Sequence, residues 1–425
     1  MDRLPGFRDF YPEPVPLGDH LAWSAEARGW LFEKWRDVAR RYGFREYDGP
    51  PLEALELYTT KSGEEIVGQL YNFVDKGERA VALRPEMTPT LARMVAAHQR
   101  AYKKPIKWFA IPQLFRYERQ QKGRLREHFQ FNADILGTAE PAADAELIAL
   151  LIDALRAVGL TAADFVVRIS SRQAWQRFFE AHGGVPEQAY AFYQAVDKMG
   201  RDAPEVTRQK LAAVGMSADT VKAFIEESRP TPELQAVLDD LAARGLSAYV
   251  AVDYHIIRGL AYYTGIVFEA FDRQGQFRAL AGGGRYDNLV RLLSEGQADL
   301  PALGFGMGDV VLLELLKARG QLPTTQPALG VFCLIEDEGL RADSLRLIQD
   351  LREAGLSVDY PLTPTKPDKQ LKRALELGAT RAVALVRGPT GAPAVRIKNV
   401  QSREQTIVPL ADAVGALVGR ASGPD

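Results

Sequence analysis

The stretch Phe115–Asp134, FRYERQQKGRLREHFQFNAD, carries five cationic residues on the two sides of a glycine turn, namely Arg116, Arg119, Lys122, Arg124 and Arg126. The β-rich segment 106–115 before it and the mixed apolar segment 128–136 after it predict two strands joined by a turn. Alternate residues of a strand share a face, so Gln130, Asn132 and Asp134 lie on one side. The hairpin therefore offers guanidinium groups, which bind phosphate through paired hydrogen bonds, beside polar acceptors. The alternative is a basic hairpin in water.

Composition narrows the class of protein. A chain of 425 residues predicts two or three domains. Lys and Arg number 53 against 55 Asp and Glu, so contacts with nucleic acid must come from local patches. Cys333 is the only cysteine, which excludes a disulfide framework and a cysteine zinc site, and we expect no protein-bound metal. No apolar run is long enough for a membrane span and the N-terminus does not resemble a signal peptide, so we expect a cytoplasmic protein without membrane contact.

The order of strand and helix patterns predicts domains. Strand-rich segments fill residues 1–171 and return at 246–321, whereas residues 172–245 show only helical patterns, as expected for an inserted domain. The segment LPTTQP, residues 322–327, has the composition of a linker. Strands and helices then alternate through residues 328–425, which predicts a separate α/β domain. The triple glycine Gly282–Gly284 lacks the lysine and spacing of a phosphate-binding loop, so we expect a tight bend there.

Charged and aromatic residues in separate motifs suggest one ligand. Two arginines, two acids and three tyrosines beside glycine turns form the set Arg116, Arg258, Glu86, Asp134, Tyr262, Tyr263 and Tyr286. Glu86 and Thr88 precede and begin a predicted helix, where a carboxylate can also simply cap the helix N-terminus. Together these groups suit a zwitterionic small molecule joined to a polyphosphate.

Five motifs in order carry a resemblance: RPEMTP, FRYERQQKGRLREHFQ, RGLAYYTGIVFE, AGGGRYDNLV and GFGMGD. With the helical insertion between the second and third, nearly the whole chain resembles a class II histidyl-tRNA synthetase. The resemblance implies an α+β fold, in which an antiparallel-sheet catalytic domain like that of class II aminoacyl-tRNA synthetases carries a helical insertion. It also implies that the C-terminal α/β domain is similar to the family's anticodon-binding domain.

The resemblance implies a role for each matching residue. Arg116 and Arg258 would hold the ATP α-phosphate from two sides, with Glu118 and Arg126 completing the ATP site. The histidine site would consist of Glu86, Thr88 and Gln130 for the ammonium group, Asp134 and Tyr263 for the imidazole nitrogens, and Tyr262 and Tyr286 as lining. ATP with Mg²⁺, histidine and tRNA(His) are the implied ligands. Pro50 matches the family's dimer-interface proline, which implies a homodimer.

Three departures affect the expected chemistry. Asp134 stands where many bacterial members have glutamate, and Ala261 replaces an aspartate beside Arg258. Val311 occupies the position of an arginine that covers the ATP γ-phosphate in the family. We hypothesise that Arg119, Lys122 or Arg124 of the basic turn supplies the missing charge.

A second function stays open on the sequence: a non-catalytic histidine sensor resembling the regulatory subunit of ATP phosphoribosyltransferase. Val311 and Ala261 favour it, whereas Arg116, Arg258 and the C-terminal domain favour the enzyme. In that domain the cations Lys369, Lys372, Arg373, Arg396 and Lys398 are candidates for contact with the tRNA backbone, or ordinary solvated charges.

Overall fold

The structure, a computed structural model, describes residues 2–12, 24–62, 64–117, 125–200, 202–257, 263–323, 329–388 and 391–419. Contacts divide the chain into two units, Met1–Pro323 and Thr324–Asp425. Most of the predicted linker, residues 322–327, lies outside the described residues.

The first unit begins with a helix whose ends and inner face follow from local sequence. Helix α1 (Ala25–Arg41) starts where the Ser24 hydroxyl accepts the Ala27 N–H, and buries Leu31, Trp35 and Val38. The elements up to the end of the first strand-rich region are β1 (Arg45–Glu46), β2 (Leu52–Ala54), α2 (Leu55–Ser62), β3 (Asn72–Val74), β4 (Ala80–Leu83), α3 (Thr88–His98), β5 (Ile106–Ala110), β6 (Gln113–Phe115), β7 (Glu127–Leu136), α4 (Pro141–Arg156) and β8 (Phe165–Ser171).

Five α-helices follow among the described residues, and then strands return. The helices are α5 (Arg172–Ala181), α6 (Ala189–Lys198), α7 (Pro204–Ala212), α8 (Ala218–Glu227) and α9 (Pro232–Ala243). The unit ends with β9 (Val250–Val252), β10 (Ile266–Asp272), β11 (Ala281–Arg285), α10 (Leu289–Leu293), β12 (Ala302–Gly308) and α11 (Asp309–Ala318).

The described strands of this unit form a nine-stranded sheet in the order β1-β5-β7-β12-β11-β10-β8-β9, with β6 also paired to β7, and a small sheet β2-β4-β3. In the large sheet β1–β5 and β8–β9 are parallel, and the other pairs are antiparallel. The segment 106–115, predicted as one strand, is two strands, because Pro112 has no N–H for the ladder. The carbonyl of Pro112 instead accepts the N–H of Gln130.

The triple glycine is a strand and not a bend, which corrects the sequence prediction. Gly282–Gly284 lie in β11, between β10 and β12. A Cβ atom on Gly283 would lie 2.6 Å from Phe305 Cβ, and one on Gly284 would lie 2.7 Å from the Ile266 carbonyl oxygen. Both separations are too short for real side chains, so glycine is needed for close packing inside the sheet.

The main core includes one helix that the sequence placed in the insertion. Leu234, Val237 and Leu241 of α9 are fully buried against the same core as α1 and α4. The helices α5–α8 surround a separate aromatic cluster centred on Trp175. That cluster also includes Tyr254 and Ile257, which follow α9 in the sequence. The two cores therefore overlap along the chain, and the boundary at residue 245 stays a prediction.

The second unit alternates strands and helices: β13 (Val331–Leu334), α12 (Arg341–Glu353), β14 (Val358–Asp359), α13 (Pro367–Glu376), β15 (Arg381–Arg387), β16 (Pro393–Asn399), β17 (Gln405–Pro409) and α14 (Ala413–Val418). Its sheet has the order β14-β13-β15-β16-β17, parallel in the first two pairs and antiparallel in the last two. Across the described parts of both units, no helix combines the length and apolar character needed to cross a membrane.

Candidate active site

A cavity of about 310 Å³ opens over the middle of the large sheet. Its walls come from the start of α3, the segment after β6, strands β7, β11 and β12, and residues next to β10 and β11. The lining residues are Glu86, Thr88, Arg116, Gln130, Asn132, Tyr263, Gly282, Tyr286, Gly304, Phe305 and Gly306. Six of them were predicted as site residues, and the fold brings them together from positions 86 to 286.

Glycines on β12 make room for the polar side chains of β7. Gly304 pairs with Asp134 and Gly306 with Asn132 across the ladder. A Cβ atom on Gly306 would lie 2.6 Å from the carboxamide carbon of Gln130, and one on Gly304 would collide with the Asp134 carboxylate. The absence of side chains at Gly304 and Gly306 therefore leaves room for the side chains of Asp134 and Gln130, of which Gln130 lines the cavity.

Asp134 lies behind the lining and contacts it through Tyr286. The Tyr286 hydroxyl donates to Asp134 Oδ1 at 2.5 Å, and both side chains are almost fully buried. Burial raises the pKa of Asp134 to about 7, although the Tyr286 hydrogen bond opposes the rise. Near neutral pH this carboxyl group can therefore either accept or donate a hydrogen bond, which suits a partner such as imidazole.

Arg116 is held at the cavity wall by backbone contacts. Its Nε donates to the Pro85 carbonyl oxygen at 3.1 Å, and its backbone N–H donates to the Arg126 carbonyl oxygen at 2.9 Å. Arg126, predicted as an ATP ligand, is not part of the lining, and its guanidinium carbon lies 4.4 Å from the centre of the Tyr117 ring. The wall thus presents one guanidinium group, that of Arg116, among the described residues.

Glu86 and Thr88 face the cavity at the junction of β4 and α3. Helix α3 begins at Thr88, and its N-cap residue Met87 makes no side-chain capping hydrogen bond in the described structure. Glu86 precedes this N-cap residue directly, and its alternative role of neutralising the helix N-terminus stays a prediction. The predicted residues Glu118, Arg258 and Tyr262 lie outside the described residues, as do Arg119, Lys122 and Arg124.

Val311 is half-buried and packs against the main core from the first turn of α11. Two residues earlier, the buried Asp309 carboxylate accepts the Phe129 N–H at 3.0 Å and pairs with Arg8 at 2.8 Å. The sequence interpretation missed Arg8, Glu127 and Asp309. An acid placed directly before the apolar run of α11 was the available signal, since such an acid often begins a helix.

Comparison with known proteins decides the family. The family model described as histidyl-tRNA synthetase matches residues 17–309. The chain belongs to the histidyl-tRNA synthetase family. A histidine–tRNA ligase of Opitutus terrae is 45% identical over 433 residues, covering 96% of each chain. The chloroplastic/mitochondrial histidine–tRNA ligase of Arabidopsis thaliana is 38% identical over 96% of this chain and 85% of its own length.

Solved structures agree on the fold. The histidyl-tRNA synthetase of Nostoc sp. PCC 7120 superposes with a TM-score of 0.76 at 23% identity, covering 97% of this chain and 100% of that one. A Bacillus halodurans protein described as an ATP phosphoribosyltransferase regulatory subunit/histidyl-tRNA synthetase has a TM-score of 0.70, also at 23% identity, over 88% of this chain and 96% of that one. At that identity the likeness concerns the fold alone. The expected α+β class II synthetase fold and the family membership are therefore confirmed, and the closer relatives are ligases.

Proposed function

We propose that the cavity of about 310 Å³ is where this histidine–tRNA ligase activates histidine with ATP. The chain converts histidine and ATP to histidyl-adenylate and transfers the histidyl group to the 3′ end of tRNA(His). The observation that carries the assignment of the site is the convergence of Glu86, Arg116, Gln130, Tyr263 and Tyr286 on one cavity.

Arg116 is the proposed group for the α-phosphate. As the histidine carboxylate attacks phosphorus and pyrophosphate leaves, negative charge grows on the α-phosphate oxygens, and a fixed guanidinium stabilises it. We propose that Arg258 acts from the opposite side and that Glu118 and Arg126 contribute to ATP binding. Mg²⁺ would enter bound to the ATP phosphates, as part of the substrate. The described residues contain no group of three or more His, Cys, Asp or Glu able to hold a metal ion.

The histidine side chain would lie toward Asp134. We propose that Asp134 and Tyr263 hold the two imidazole nitrogens, with Tyr286 and Tyr262 closing the pocket, while Glu86, Thr88 and Gln130 bind the ammonium group. A site that hydrogen-bonds its substrate leaves buried polar groups unpaired with a wrong amino acid, which discriminates by about 10⁴-fold or more.

For tRNA we propose contacts from the second unit, with a role in anticodon binding. Lys369, Lys372 and Arg373 of α13 are exposed, as phosphate contacts require. Arg396 is a weaker candidate, because only 28% of its side chain is exposed and its guanidinium pairs with Glu336 at 2.5 Å.

We also propose the predicted domain division, the cytoplasmic location and the homodimer. Phe73 and Val74 support the dimer, since 50% and 67% of their surfaces are exposed on the small sheet.

The test is histidine-dependent exchange between ATP and pyrophosphate, followed by charging of tRNA(His) with the same preparation. Arg116→Gln should slow exchange by about 10²- to 10³-fold. Arg100→Ala, which removes an exposed arginine outside the cavity, should not. Histidine binding without any exchange in the natural protein would contradict the proposal and support the histidine sensor.

The charge missing at Val311 has its own test. If the basic turn replaces it, alanine at Arg119, Lys122 and Arg124 together should weaken ATP binding. Unchanged ATP affinity in that triple variant would refute this part of the proposal.

A further inference from the structure

Three buried charged side chains from distant segments meet where β7 and α11 begin. We name them the Arg8 cluster, comprising Arg8, Glu127 and Asp309. Arg8 Nε lies 2.6 Å from Glu127 Oε1, and Arg8 Nη1 lies 2.8 Å from Asp309 Oδ2. The exposed fractions of the three side chains are 0%, 1% and 0%. The flat, forked guanidinium group can hold two carboxylates at once, which a lysine ammonium cannot do with the same geometry.

The cluster connects the elements that would hold ATP. Glu127 begins β7 and also accepts from Gln113 Nε2 of β6 at 3.0 Å. Asp309 begins α11 and accepts the N–H of Phe129 at 3.0 Å. Arg8 therefore joins the N-terminal segment, the β6–β7 hairpin and α11 at one point.

A backbone path leads from the same N-terminal segment to Arg116. The Gly6 carbonyl oxygen accepts the Arg126 N–H at 2.9 Å, and the Arg126 carbonyl oxygen accepts the Arg116 N–H at 2.9 Å. The Phe7 ring packs next to this path, with its centre 6.4 Å from that of Phe115. A displacement of the N-terminal segment would therefore move Arg116.

The start of β7 needs this support, because the large sheet does not reach it. Pairing of β7 with β12 begins at Gln130, and pairing with β5 begins at Asn132. Residues 127–129 pair only with β6 among the described strands. The part of β7 that faces histidine is thus fixed within the sheet, whereas the part next to Arg126 and Arg116 depends on other contacts.

We infer that Arg8 is a positioning residue for ATP, whose guanidinium holds the start of β7 against α11 and thereby fixes Arg116 at the cavity wall. Because its side chain is fully buried and paired with two carboxylates, Arg8 acts through these elements and does not touch the nucleotide. The inference rests on the proposed function, since it assumes that ATP binds at Arg116.

The experiment measures Kd for ATP and for histidine separately, by calorimetry on the full-length chain. Arg8→Gln should raise Kd for ATP about 10- to 100-fold, because a small displacement of a binding group costs that much, and leave Kd for histidine essentially unchanged. Arg3→Gln, which removes an exposed arginine of the same segment, should change neither constant.

A triple variant tests whether Arg8→Gln weakens ATP binding by displacing β7 and α11 or by leaving two carboxylates buried without a cation. The triple variant is Arg8→Gln/Glu127→Gln/Asp309→Asn. It removes all three charges of the Arg8 cluster, and the three amide side chains can hydrogen-bond to one another. This variant should recover most of the ATP affinity of the natural protein. It tests the positioning role of the cluster even if Arg8→Gln alone does not fold. An equal rise in both Kd values for Arg8→Gln, or a folded triple variant without recovery, would overturn the inference. Both Kd values are measured without turnover. If the natural protein bound both ligands but catalysed no exchange, the proposed function would be refuted, and the test of Arg8 would still be valid.

Discussion

Tyr286 and Asp134 lie 152 positions apart in the sequence, and the Tyr286 hydroxyl donates a buried hydrogen bond of 2.5 Å to Asp134 Oδ1. The bond joins the lining of the cavity to a carboxyl group behind it. Burial raises the pKa of Asp134 to about 7, and the donated hydrogen bond, which stabilises the carboxylate, limits that rise. Burial therefore dominates the protonation state of Asp134, and the hydrogen bond from Tyr286 moderates it.

Tyr286→Phe should raise the pKa of Asp134 above about 7, because the donor that stabilises its carboxylate is lost. Carboxyl-carbon NMR of the ligand-free protein would follow the titration, with Asp134→Asn identifying the resonance. A pKa that stays the same or falls in Tyr286→Phe would show that the hydroxyl does not stabilise the carboxylate.

Asp134→Asn should raise the unfolding free energy of the ligand-free protein relative to the natural protein. This difference should grow as the pH rises from about 4 to about 7. In the folded natural protein the pKa of Asp134 lies above its value in the unfolded chain, which is about 3.9. The neutral carboxyl group therefore contributes its full stabilisation only at pH values below the unfolded pKa. This stabilisation is then lost as the pH rises through the folded pKa. The difference in unfolding free energy between variant and natural protein should grow by up to about 4 kcal/mol and level off above pH 7. Urea unfolding at several pH values measures it, and a difference independent of pH would contradict the raised pKa.

Gly306→Ala should raise KM for histidine with little change in melting temperature. The new methyl group would lie 2.6 Å from the Gln130 carboxamide carbon and displace that flexible side-chain end, which we propose binds the substrate ammonium group. Gly308→Ala on the same strand is the matched control, since its nearest neighbouring atom, His128 Cδ2, is 3.9 Å from the added carbon. Equal KM values in the two variants would remove Gln130 from the histidine site.

His128 should stay neutral down to about pH 4 in the ligand-free protein. Burial and the nearby charges of Arg116 and Arg8 lower its pKa to about 3. Binding of a non-hydrolysable ATP analogue should raise that pKa, because phosphate groups beside Arg116 offset its charge. Imidazole NMR titration, with His128→Gln for assignment, would show both effects. An unchanged pKa on saturation with the analogue would place the phosphates away from Arg116.

Several features could be predicted from the sequence because they depend on neighbours along the chain. The apolar spacing of Leu31, Trp35 and Val38 determined helix α1, and alternation placed Gln130 and Asn132 on one face of β7. The order of the motifs indicated the family. The break at Pro112 within residues 106–115 could not be predicted in this way. The local sequence is the same whether a proline lies in an edge strand or between two strands.

Other features were decided only by the tertiary structure, because they depend on partners far away in the chain. The same glycine triplet suits a bend or a strand, and the close approach of Phe305 and the Ile266 carbonyl makes it a central strand. Helix α9 resembles its helical neighbours locally, but its apolar face meets the core that contains α4. Arg8 and Asp309 read as ordinary surface charges until the fold buries them together, since an isolated charge cannot be buried without a partner. Local sequence thus determined the elements and the residue types of the site, while long-range packing decided which side chains face one another.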